Sequence, residues 1–316
     1  MNSLPHHLPD WQSDYAQWLE QGTAPSTRRA YQRDVTYFWQ WVHHHLDPTL
    51  TYPISAEGVL QFCLYHLDPH SPTPLKVATL RRYLASVSGA HVEAGVASPL
   101  QDKRIRLLLK KVKAAKQERP VKKRAITDPI LDQLLAACDN SLHGIRDRAI
   151  LLVGMKSGGR RRQELAQLRV DDLTPIEDGY DLTIRQSKTD QTCEGHTVPL
   201  TGDTAQALRA WLIQSGIRTG YLFRGIKSDG RVYDSITGRT INNIVKRRIQ
   251  RIGLDPDQFG AHSLRAGFIT SATLAGMSIY EAVKYSGHKD IETAQGYVRL
   301  PEHGFPLSPN KAPHHD

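Results

Sequence analysis

Apolar positions recur at helical spacing through the first third of the chain. In PSTRRAYQRDVTYFWQWV, Tyr31, Val35, Phe38 and Val42 fall at i, i+4, i+7 and i+11, one face of an amphipathic helix with Ser26 available as its cap. The same periodicity returns over 55–67, 75–94 and 101–117, and Asp68-Pro69, Ser71-Pro72 and Ser98-Pro99 punctuate the intervals. Residues 10–117 therefore predict an all-helical unit. His43, His44 and His45 stand in a row, but adjacent helix positions diverge and no carboxylate or thiol joins them, so the tract reads as a polar helix end and not a metal site.

Residues 118–127, ERPVKKRAIT, have the charge and proline of an exposed linker. Asp128-Pro129 then fits a cap and first-turn proline for a helix reaching Cys138, and IRDRAILLVGMKSGG predicts another that stops at paired glycines. After a short helix at RRQELAQL the period changes. YDLTIRQSK and HTVPL are short and β-branched and are separated by TDQTCEG, which predicts two antiparallel strands and a turn. Helical signals resume over 203–214, 240–251, 263–274, 278–285 and 291–297. Residues 128–299 thus predict a mainly α domain with one small antiparallel sheet. Pro301, Pro306, Pro309 and Pro313 argue against a long helix in the tail, 300–316.

Composition narrows the class. With 39% hydrophobic and 23% charged residues over 316 positions, the chain can build the cores of two ordinary domains. No apolar run reaches the roughly 18 to 20 residues of a membrane span, and MNSLPHHLPDW lacks a signal peptide's pattern, so a cytoplasmic protein is expected. Cys63, Cys138 and Cys193 are too scattered for a disulfide framework or a zinc site. Charge placement is more telling. Of a net +9, the stretch from Lys103 to Arg124 carries eleven Lys or Arg against Glu118 alone, a net +10, leaving about −1 elsewhere. Such a stripe is the footprint of a polyanion, and it makes Lys103, Arg104, Arg106, Lys110, Lys111, Lys113, Lys122, Lys123 and Arg124 candidate DNA-contacting residues. Arg81 and Arg82 are the candidates for reading bases.

Four polar clusters lie at element edges. SGGRRRQELAQL sets Arg161 three residues before Glu164, QSKTD places Lys188 at a strand end, AHSLRAGF holds His262 and Arg265, and SGHKDIETAQGY holds His288 with Tyr297 nine residues on. His-x-x-basic alone is weak, since 15 His and 41 Lys plus Arg give about two such pairs by chance. Together the set is chemically coherent: two guanidiniums able to clamp a phosphate, two imidazoles, a lysine proton carrier and a phenol nucleophile. Singly, each also fits a bland role, a helix ion pair, a solvated hairpin lysine or a core tyrosine.

As an ordered set, G-x-R-x-x-E, Ser-Lys-Thr, H-x-L-R and G-H with its following Tyr, these motifs resemble the tyrosine recombinases of the phage-integrase, Xer and Cre type. The resemblance extends from about residue 10 to Arg299. It implies a helical, SAM-like core-binding domain, a basic linker and a catalytic domain of the DNA breaking-rejoining enzyme fold. It further implies Arg161, Lys188, His262, Arg265, His288 and Tyr297 as catalytic residues, supported by Glu164, with Arg161 chosen among three arginines by its spacing from the glutamate. The implied activity is site-specific strand exchange through a 3′-phosphotyrosine, by a homotetramer on two short double-stranded DNA sites, without a cofactor or metal. Type IB topoisomerase activity and a non-catalytic DNA-binding regulator on the same scaffold are the alternatives. Phe305 and Leu307 are candidates for docking the tail on a neighbouring subunit.

Overall fold

Pro25, whose missing N–H costs nothing in a first helical turn, opens α1 (Pro25–His45) in the computed structural model, which describes residues 21–116, 123–185 and 196–287. Ser26 therefore lies inside the helix, and Ala24 holds the cap position. The buried stripe also differs from expectation at one end: Phe38, Trp41 and Val42 face the core, whereas Tyr31 is exposed. Periodicity assigns a face, but packing decides which turns of it a neighbour covers. Asp34 is buried on that stripe, where it pairs with Arg82 and accepts a hydrogen bond from Ser86 Oγ (3.1 Å), both on α3 (Val77–Glu93). α2 (Ala56–Leu67) starts one residue after the expected position 55, where Ser55 Oγ accepts the Gly58 N–H at 3.1 Å and caps the helix. α4 (Lys103–Lys116) buries Ile105 and Leu109 against Phe62, Leu80 and Leu84.

The chain divides into two units between Pro120 and Val121. In the second, α5 (Asp128–Ala136) takes Thr127 as its cap position, one residue before the expected Asp128. α6 (Leu142–Lys156) is buried on all sides through Ala149–Met155, which makes it the central helix of the unit. A short α7 (Arg162–Gln167) follows, then an antiparallel sheet of β1 (Leu173–Ile176), β2 (Gly179–Ile184) and β3 (His196–Thr201) in that order. Leu182 pairs with Leu173 on one side and Val198 on the other. β1 is a third strand that periodicity does not reveal, because LTPI is four residues long and carries a proline tolerated only at an edge. α8 (Gly202–Ser215), α9 (Gly238–Arg251), α10 (His262–Leu274) and α11 (Ile279–Ser286) complete the unit.

Two tertiary ties place the elements that matter for function. On α6, Asp147 accepts from Arg146 Nη2 (2.7 Å) and from Arg248 Nε of α9 (2.9 Å), while Arg248 Nη1 donates to Ala137 O (2.9 Å). All three charged groups are buried, so removing one member would strand the others. Residues 123–127, expected as part of an exposed linker, instead run along the second unit: Arg124 N–H donates to Gln258 O (2.8 Å) and Ile126 N–H to Ser263 O (2.9 Å). Ile126 is fully buried there, an apolar residue after a basic run that gains more by entering the core than by remaining in solvent.

Candidate active site and basic helix face

Three consecutive arginines, 160 to 162, enter three environments: Arg160 is buried, Arg161 half-buried and Arg162 exposed. The glycines before them set this up. Gly159 has φ +71°, and a Cβ there would lie 2.5 Å from Arg265 Cα, so only glycine lets the turn after α6 touch the backbone of α10. Gly159 O then accepts from Arg265 Nη1 at 3.1 Å. The turn delivers Arg161 to the cap position of α7, with Glu164 at the third helical residue. One Glu164 oxygen accepts the Arg161 backbone N–H (2.9 Å) and the other its Nη1 (2.6 Å). Spacing of three residues thus becomes a buried carboxylate gripping one arginine twice, which leaves the guanidinium's remaining donors oriented.

The start of α10 is held from another direction. Asn242 Oδ1, on α9, accepts the Ala261 N–H (3.0 Å), and Ser263 Oγ accepts the Gly260 N–H (3.1 Å). His262 occupies the first position of the helix and Arg265 follows one turn later, so the two share a face. Arg265 is 1% exposed, whereas His262 reaches solvent. Enclosure by the surrounding protein holds the His262 imidazole below its ordinary pKa, and the charges of Arg265 and then Arg161 push in the same direction. The imidazole is therefore neutral at neutral pH. A neutral base beside two fixed cations is a site for an anion that loses or shares a proton.

Arg161, Glu164, His262 and Arg265 are brought together from α7 and α10. Lys122, Lys188, His288, Tyr297, Phe305 and Leu307 lie outside the described residues, as do the predicted helix over 291–297 and the tail. α11 closes at Gly287, in the left-handed conformation at φ +66°, immediately before position 288. Three residues that tie these elements together escape sequence reasoning. Asn242 lies 19 residues from its target, Gln163 accepts the Gly238 N–H that starts α9 (3.2 Å), and Arg160 is indistinguishable from its neighbours by composition. The Ser-Gly-Gly run was the available signal for the last.

In the first unit, Lys103, Arg106, Lys110 and Lys113 follow a three-four-three spacing that puts them on one exposed face of α4, away from Ile105 and Leu109. Lys111 is exposed beside them. Arg104 turns to Asp102 and Glu57, at 2.7 Å each, and contributes less positive field. Arg82 pairs with Asp34, and both Arg81 and Arg82 are exposed. In the second unit, Lys123 donates to Asp257 O and Arg124 lies over the Phe259 ring at 5.2 Å. His43 Nε2 donates to Leu50 O (2.9 Å) and His45 stacks on Trp41, as a polar helix end does. Burial pushes the Cys63 thiol up to about 12, and Cys138 is buried too, so neither is a ready nucleophile. No described helix is long and apolar enough to cross a membrane.

The chain is mainly helical with a small antiparallel sheet, and its second unit gathers two arginines and a histidine at the starts of two helices. The phage integrase family model matches residues 124–303, more than half of the chain, and the chain belongs to this family; it is a tyrosine site-specific recombinase. It is 26% identical over 294 residues to the integrase/recombinase xerD homolog of Selenomonas ruminantium, covering 89% of this chain and 83% of that protein. It is 24% identical over 268 residues to recombinase cre of Escherichia phage P1, covering 78% and 77%. Its fold is similar to that of the Tn1549 transposon integrase in complex with transposon right-end DNA, with TM-score 0.63 and 15% identity over 92% of this chain and 94% of that one. A lambda integrase dimer bound to a COC′ core site gives TM-score 0.61 at 17% identity, over 94% and 79%.

Proposed function

We propose that this recombinase cuts and rejoins double-stranded DNA through a 3′-phosphotyrosine at Tyr297, as a tetramer on two short sites. Arg161 and Arg265 grip the non-bridging oxygens of the scissile phosphate, and His288 adds a donor. As Tyr297 Oη attacks phosphorus, its proton passes to neutral His262. The bond from phosphorus to the 5′ oxygen breaks, and Lys188 supplies that oxygen's proton. Rejoining reverses each transfer, with the attacking 5′ hydroxyl taken from the partner duplex. One phosphodiester-type bond replaces another, so no external energy source enters, and fixed donors meet the charge that builds at phosphorus. The face formed by Lys103, Arg106, Lys110 and Lys113 tracks the phosphate backbone.

The observation that carries this reading is geometric: the Gly159 turn, whose carbonyl accepts from Arg265 Nη1 at 3.1 Å, brings the Glu164-held Arg161 of α7 to the start of α10, where His262 and Arg265 share a face. The test is covalent trapping on nicked site DNA. Tyr297→Phe should bind within a few fold of the parent chain and form no adduct. A persistent adduct in that variant would move the nucleophile to Tyr285 or Tyr280.

A further inference from the structure

Arg160 is an expensive residue where it stands. Its side chain is 2% exposed, its Nη2 donates to Tyr285 O at 2.7 Å, and its Nε meets no partner among the described residues. Burying a guanidinium with an unmet donor normally favours replacement by an apolar side chain. Core packing alone therefore does not account for an arginine here.

The carbonyl it reaches is informative. Tyr285 sits in the last turn of α11, where the four terminal carbonyls lack helical partners and a cation complements the negative end of the helix. The Gly287 N–H turns back to Lys284 O and Val283 O, and Arg160 Nη2 donates to Tyr285 O. Gly158 makes the approach possible: at φ +98°, a Cβ there would lie 2.6 Å from Tyr285 O and 2.4 Å from Arg160 Nη2. The two glycines of this turn thus divide the work. Gly159 admits Arg265, and Gly158 admits the end of α11.

We infer that Arg160 is a positioning residue that ties the turn carrying Arg161 to the C-terminal end of α11, and so holds the arginine clamp and the last turn of that helix in one fixed arrangement. Its effect on cleavage rests on the reading above, in which the chain that follows α11 in sequence supplies His288 and Tyr297. A link of this kind acts on the chemical step: a displacement of about 1 Å between reacting groups can cost about 10²-fold. It contributes little to DNA affinity, because Arg160 has almost no surface to offer.

The experiment compares Arg160→Met and Arg160→Lys with the parent chain, using nicked site DNA at saturation. Arg160→Met should bind DNA with unchanged affinity, melt at the parent temperature or above, and cleave about 10- to 100-fold more slowly. Arg160→Lys, which keeps a donor for Tyr285 O, should recover part of that rate. Amide exchange in Arg160→Met should quicken in the last turn of α11 and not in α6. A parent cleavage rate in Arg160→Met, or a lowered melting temperature, overturns the inference and makes Arg160 respectively incidental or a fold residue. Tyr297→Phe is run alongside: an adduct in that variant refutes the nucleophile assignment, whereas its inactivity beside a fully active Arg160→Met refutes the positioning role alone.

Discussion

Gly267 lies two residues beyond Arg265 on α10, and replacing it with alanine sets two effects of opposite sign against each other. In an ordinary helix interior, Gly→Ala stabilises by about 1 kcal/mol. Here the added Cβ would lie 1.8 Å from Ile126 O and 2.6 Å from Ile126 C. Since real contacts of this kind stay above 3.0 Å, the backbone at Ile126 must retreat by at least 3.0 minus 1.8, or 1.2 Å. That retreat breaks the Ile126 N–H to Ser263 O bond, worth about 1 kcal/mol, and withdraws a fully buried isoleucine, at a cost approaching the 2 to 4 kcal/mol of a large core truncation. The clash wins: Gly267→Ala should destabilise the second unit by about 2 to 3 kcal/mol net. Cleavage should fall as well, because Ser263 sits between His262 and Arg265. Hydrogen exchange in α6 and α10 across a urea series reads the stability of that unit directly. Gly89→Ala on α3, where no atom lies within 4 Å of the new Cβ, is the control and should be neutral or stabilising. If Gly267→Ala behaves like Gly89→Ala, residues 123–127 do not pack along α10 and the placement argued for them is wrong.

Other expectations are as direct. Replacing Lys110, Lys111 and Lys113 with alanine should flatten the slope of log affinity against log salt by about 0.9 per lost phosphate contact, and an unchanged slope would move the footprint off α4. Lys188→Ala should cleave ordinary DNA about 10² to 10⁴ times more slowly yet cleave a substrate with sulfur at the bridging 5′ position almost normally, while Arg161→Ala stays defective on both; equal defects in Lys188→Ala assign the acid elsewhere. Because the pKa of His262 is depressed below its ordinary 6.5, the neutral base persists as pH falls to that value, and the cleavage rate should decline only below it. A decline already complete at pH 6.5 would contradict the neutral-base role.

The sequence by itself determined most of the described helical elements and the class, for a physical reason: each of those signals is local. Ser55 caps its own helix, the glutamate three residues after Arg161 grips it within one turn, and His262 and Arg265 share a face by helix geometry. Tertiary structure decided what depends on residues far apart in the chain. Tyr31 continues an apolar stripe yet stays in solvent, β1 needs β2 to be recognisable as a strand, and the run ending at Ile126 reads as linker until Ser263 offers it a carbonyl. The same holds at the site. Three adjacent arginines carry identical charge and propensity, and only the close approach of Gly158 to Tyr285 and of Gly159 to Arg265 separates the buried Arg160 from the half-buried Arg161 that Glu164 holds. Close approach between distant backbones is a property of packing, and no local pattern encodes it.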